Sequence, residues 1–204
     1  MKIIKRLIGE IKSYFNNNRN FNDNFDDPFM LNNNFKFKIY YENQQNQKFE
    51  SILEKGGAMD LELCYGDKAL SEVFGFRNIG INESVVKKAR YNFRFTNIKV
   101  VDKYQKKGVC SCLLLRSIII VLENLKDEDV EFSLVNTVKP EQDVRIKDKF
   151  KVYKCALEEI KENENIQYHF FNSSKRNQDL EVLKERYRQK CEKIIKESKL
   201  FTRR

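Results

Sequence analysis

The residues with the most chemical content lie between Ile98 and Leu114 and read Ile-Lys-Val-Val-Asp-Lys-Tyr-Gln-Lys-Lys-Gly-Val-Cys-Ser-Cys-Leu-Leu. A β-type run from Asn92 to Val101 passes through a polar turn into an apolar segment that opens as a helix at Gly108. A helix N-terminus carries backbone N–H groups with no acceptor inside the helix, and the macrodipole adds roughly half a positive charge there. A glycine at that mouth has no Cβ to hold an anion away, and Lys106 and Lys107 bring full charges to the same turn. Strand, tight turn and helix start in this order predict a seat for a phosphate or pyrophosphate. A generic strand–turn–helix unit with a glycine at the helix start is the plainer alternative.

Other chemistries find less support. The one histidine, His169, has no Gly-x-Ser-x-Gly elbow to serve, and no Walker-type phosphate loop occurs. Five cysteines with no Cys-x-x-Cys pair, beside a single histidine, argue against a zinc site with His ligands. Cys110, at a helix start beside two lysines, is open to two readings: a thiol of lowered pKa, or a small residue standing where Ala would serve. Glu62 and Glu83 are carboxylates that could take a proton, but their spacing selects neither.

The turn also resembles the acyl-CoA-binding segment of the GNAT-type N-acetyltransferase superfamily. That family places a Gln/Arg-x-x-Gly-x-Gly/Ala turn between an apolar strand end and a long apolar helix. Here the turn reads Gln105-Lys106-Lys107-Gly108-Val109-Cys110, with Cys110 where Gly or Ala is usual. The resemblance covers about residues 90–160, and 35–90 loosely. It implies a strand that splays from its parallel neighbour at a bulge, with pantetheine between the two. Backbone groups of Ile98 and Val100 would then meet the acetyl and pantetheine moieties. Those of Gln105, Lys106, Lys107, Gly108, Val109, Cys110 and Ser111 would hold the pyrophosphate, and Asn136 would lie near the cofactor. Tyr153, in Lys151-Val-Tyr-Lys-Cys-Ala156, takes the place of the proton donor to the departing CoA thiolate. A phenol suits that role because its ordinary pKa of about 10 keeps it protonated at neutral pH. The family's Gly-Phe after this tyrosine is missing, so Tyr153 is equally readable as a core aromatic. The implied activity is an acetyl-CoA-dependent N-acetyltransferase acting by direct attack of an amine of unspecified class. The competing reading is a catalytically inert binding module on the same fold.

The elements that must position this turn follow from patterning. Lys2 to Phe15 is a basic amphipathic helix, followed by an Asn-rich linker to residue 34. Strands are expected at Phe35–Tyr41, Met59–Tyr65, Asn92–Val101, Val130–Val138 and Gln167–Phe171, with Ala69–Phe76 ambiguous. Phe49–Glu54 reads as a short helix stopped by Gly56-Gly57. Gly108–Leu125 is apolar nearly all round and so must be buried on most sides. Lys147–Ile160 is a second core helix. Gln178–Lys199 is a long one whose stripe Leu180, Leu183, Tyr187, Cys191, Ile194 needs the sheet or a second subunit to cover it. The expected fold is α+β, a mixed central sheet with a splayed parallel βαβ unit, flanked by N- and C-terminal amphipathic helices. Its divisions are 1–34, a GNAT-like domain at 35–174, and a basic helix at 175–204.

Composition sets the remaining bounds. The 204 residues, 41% hydrophobic with 16 Phe, can bury a proper core. The formal charge of +9 is concentrated at the ends: +4 over residues 1–20 and +6 over 175–204, leaving −1 for the rest. Basic ends admit nucleic acid or an acidic partner, or reflect solubility alone. The longest apolar run, Ile118–Leu122, is far too short to span a bilayer, and no secretory leader is read. A reducing, cytoplasmic compartment is expected.

Overall fold

The computed structural model describes residues 35–42, 49–66, 68–83, 85–86, 88–100, 108–135, 161–163 and 166–198. They form one mixed sheet of eight strands with two long helices on it. The strands are β1 (Phe35–Glu42), β2 (Ala58–Tyr65), β3 (Lys68–Ala69), β4 (Ser71–Asn78), β5 (Tyr91–Val100), β6 (Val130–Val135), β7 (Lys161–Asn163) and β8 (Ile166–Phe171). Their spatial order is β1-β2-β4-β5-β6-β8-β7, with β3 pairing β2. Every neighbouring pair is antiparallel except β5–β6. A parallel pair cannot be closed by a tight hairpin, and the connection here contains helix α1 (Val109–Asn124). Helix α2 (Arg176–Ser198) follows β8.

Alternation decides which face each strand buries. Phe37 and Ile39 of β1 lie opposite Leu63 and Leu61 of β2, and all four are buried. The same face continues through Phe76, Phe93, Phe132 and Phe171, whose rings meet edge-on or tilted with centroids 5.1 to 6.0 Å apart. Helix α1 packs on β2, β4 and β5, and α2 packs on α1. Thirteen of the sixteen α1 residues are buried, as an all-round apolar helix requires. Arg116 is among them, with its guanidinium 5.9 Å from the ring centre of Tyr187 on α2. The stripe Leu180, Leu183, Tyr187, Cys191, Ile194 is buried within this chain, so it needs no second subunit to cover it.

Three expectations change in detail. The ambiguous stretch Ala69–Phe76 is a strand, β4, running from Ser71 to Asn78. Gly108 caps α1 in the left-handed region (φ 88°) instead of opening its first turn. Phe49–Leu53 is helical, as a 3-10 turn. The basic N-terminal helix, the Asn-rich linker and the second core helix, Lys147–Ile160, lie outside the described residues. No helix among the described residues is long and apolar enough to cross a membrane.

Candidate functional site: the end of the parallel ladder

Among the described residues, strand β5 pairs with β6 at its start and with β4 from Phe93 to its end. Its parallel ladder with β6 runs from Tyr91↔Val130 to Arg94↔Ser133 and stops there. Yet β5 continues to Val100, and β6 to Val135, where it still pairs with Ile166 of β8. Among the described residues no β6 position pairs with β5 beyond Arg94. On its other edge β5 carries a bulge: Phe95 faces Phe76 and Asn97 faces Gly75, so Thr96 is an extra residue. A bulge bends its strand and sharpens the local twist. It falls two residues past the last β5–β6 pair.

The far end of the site is the start of α1. The helix's own ladder begins with the Cys112 N–H donating to the Gly108 carbonyl at 2.9 Å. The N–H groups of Val109, Cys110 and Ser111 lie ahead of that ladder. Val109 and Ser111 are buried and Cys110 is partly exposed. Space does not explain the glycine at 108. A Cβ there would meet only Ile194 Cγ1, at 3.9 Å. The positive φ explains it, because an L side chain is strained in that region.

The structure therefore places Ile98 and Val100 on β5, opposite Phe74 and Ser71, and Gly108 to Ser111 at the helix that follows. Gln105, Lys106, Lys107, Asn136 and Tyr153 lie outside the described residues. Of the two carboxylates considered above, Glu62 accepts a hydrogen bond from Tyr40 Oη at 2.9 Å on the β1–β2 seam. Glu83 is exposed and pairs with Arg94, the last residue of the parallel ladder, at 3.1 Å.

A third carboxylate is one that sequence spacing does not select. Asp60 on β2 is 7% exposed and sits opposite Gly75, which in turn sits opposite Asn97 at the bulge. A Cβ on Gly75 would lie 1.7 Å from Asp60 Oδ1, so the carboxylate lies over the glycine. A glycine inside an otherwise bulky strand, Ser-Glu-Val-Phe-Gly-Phe, is the sequence signal for such a close approach.

The seam is anchored at its closed end. Glu131 of β6, fully buried, accepts the backbone N–H groups of Val85 and Val86 at 3.1 and 2.9 Å. On α2, Arg188 bonds Glu185 and Glu192, and Lys184 lies 3.0 Å from Glu123 of α1. Helix α2 carries seven basic and five acidic residues, so most of the terminal +6 lies outside it. The chain matches no protein-family model, no curated protein and no solved structure.

Proposed function

We propose that the protein is an acetyl-CoA-dependent N-acetyltransferase of the GNAT type. The observation that carries this reading is the β5–β6 ladder that stops at Arg94↔Ser133 beside the Thr96 bulge. Two strands that part inside a sheet leave backbone donors and acceptors aimed at a gap, and an extended amide-bearing chain such as pantetheine satisfies them as a strand would. The same strand leads to a helix start capped by a left-handed glycine, a suitable seat for pyrophosphate. The element order and the turn Gln105–Cys110 support the same assignment through their resemblance to that family.

In this reading the β5 backbone around Ile98 and Val100 aligns the thioester, and the turn from Gln105 to Ser111 holds the diphosphate, with Asn136 beside the cofactor. An acceptor amine attacks the acetyl carbonyl directly, and CoA leaves as the thiol. Tyr153 donates the proton to the departing sulfur. Asp60, buried and in line with the bulge, accepts the ammonium proton through water. Holding the carbonyl and the amine in fixed alignment contributes to the acceleration.

Acetyl-CoA at millimolar concentration should raise the melting temperature of the wild-type chain by mass action. Gly108→Glu, which puts bulk, negative charge and backbone strain at the anion seat, should abolish the shift. A melting curve that acetyl-CoA leaves unchanged would sink the reading in favour of an inert binding module.

A further inference from the structure

Two thiols that acyl transfer does not use lie against each other. Cys112, near the start of α1, and Cys191, on the buried stripe of α2, are both fully buried, and their sulfur atoms are 3.5 Å apart. They are 79 residues apart in sequence, so the contact is made by the packing of α2 on α1. Three residues past Cys191, Ile194 lies beside Gly108 at the cap of α1. Cys110 is partly exposed and lies two positions, about 200°, around the helix from Cys112. Cys64 belongs to β2, in the sheet layer.

We propose that Cys112 and Cys191 form a redox pair that closes reversibly into a disulfide and ties α2 to the first turns of α1. A disulfide needs its sulfurs about 2.05 Å apart, so the pair must approach by roughly 1.5 Å, a small adjustment for two side chains already in contact. The oxidant is a hydroperoxide. One thiolate attacks a peroxide oxygen, the O–O bond breaks, and a sulfenic acid and one equivalent of water or alcohol result. The second thiolate attacks that sulfur and expels hydroxide, which takes a proton to become water. Two electrons pass from the thiols to the peroxide, and a dithiol returns them. Burial makes the first step wait on local opening. Cys191 lies seven residues from the end of α2 at Ser198, and terminal turns open at the least cost. The closed bridge holds α2 against the helix whose cap follows β5. This pairing stands whether or not the site binds a CoA thioester.

The full-length protein is treated with hydrogen peroxide, unfolded, and alkylated with N-ethylmaleimide. Of the five cysteines, three should then take the label, and the unlabelled mass should fall by two hydrogens. Proteolysis should yield a peptide joining Cys112 to Cys191, released by dithiothreitol. The oxidised protein should melt roughly 10 °C higher, because a long loop is closed in the unfolded chain. Cys191→Ala should label at all four remaining thiols after the same treatment. Five labelled cysteines in the treated wild type overturn the proposal. So does a bridge between any other pair, a bridge between chains, or oxidation of the two sulfurs to sulfinic acids. The mapping on the wild type decides the matter even if the alanine variant does not fold.

Discussion

The β1–β2 and β5–β6 seams belong to one sheet and are built differently. β1 and β2 pair over eight residues in unbroken register, Phe35↔Tyr65 to Glu42↔Ala58, with Phe37, Ile39, Leu61 and Leu63 sealing one face. β5 has ten residues, yet four of them pair with β6. The first seam uses every register position for the ladder. Among the described residues the second is laddered at its base, where Phe93 lies tilted against Phe132 at 5.5 Å and Glu131 grips the Val85–Val86 backbone, and beyond the ladder Phe95 still stacks on Phe132 at 5.7 Å. Sheet stability comes from cross-strand pairs, so a stretch that pairs with no neighbour on that edge among the described residues gives up stabilisation that a full ladder would supply. Such a stretch makes sense where another extended chain completes it.

Removing the bulge breaks this comparison most sharply. Deleting Thr96 leaves the partners Phe76↔Phe95, Gly75↔Asn97 and Phe74↔Ile98 in a regular antiparallel ladder, with no residue moved to the opposite face. The fold should survive. β5 should straighten towards β6, and the acetyl-CoA-dependent rise in melting temperature should vanish. At a ligand concentration a hundred times the dissociation constant, that is a loss of about 2.7 kcal/mol of linkage. Titration calorimetry checks it: a deletion variant that folds and binds acetyl-CoA as the wild type does would show that the bulge does not hold the gap open.

Replacing Gly75 by alanine tests the row that joins the two seams. The new Cβ would fall 1.7 Å from Asp60 Oδ1 and 3.0 Å from the Met59 carbonyl, so the carboxylate must swing away. Overpacking of this kind costs roughly 1–3 kcal/mol. In an Asp60→Ala background the same substitution should cost much less, because the obstructing atoms are gone. Urea unfolding of the four proteins gives the coupling directly. Additive effects would mean that Asp60 does not lie over Gly75.

These particulars show what the sequence could and could not convey. The alternation of Phe35–Tyr41, the largely apolar run after Gly108 and the stripe on α2 are local periodicities, and each corresponds to a buried face of the structure. β4 is harder to read because Gly75 and the buried Ser71 interrupt its pattern for reasons lying on its neighbours. Asp60 looks like an ordinary polar position until β4 is laid beside it. The end of the β5–β6 ladder is a relation between residues about forty apart, and no local signal encodes it. Gly108 is visible in the sequence as a constraint, but the φ that imposes it is not. The charge of Arg116 suggests a solvated position, whereas the structure buries it beside Tyr187.

The smallest expected effect lies on the outer face of α2, far in character from a site made of backbone. Hydrogen bonds from Arg188, and then from Gln189, hold the Glu185 carboxyl down at about 2, against an ordinary value of 4.5. A depressed carboxyl contributes stability that is present above its unfolded pKa and is lost as pH falls from about 4.5 towards 2. The group is fully exposed, so the effect on global unfolding should be slight and should shrink further with salt. NMR titration of the carboxyl is the sensitive readout, and Arg188→Gln should return Glu185 towards its ordinary range. The same pairing bears on the basic C-terminus. A polyanion approaching this face must displace Glu185 and Glu192 from Arg188 before it gains a contact. Arg188→Gln should therefore leave the salt dependence of any nucleic-acid binding nearly unchanged, whereas neutralising Arg203 and Arg204 should flatten it. A slope that falls by about one on losing Arg188 alone would show that the helix face, and not the residues beyond it, meets the phosphates.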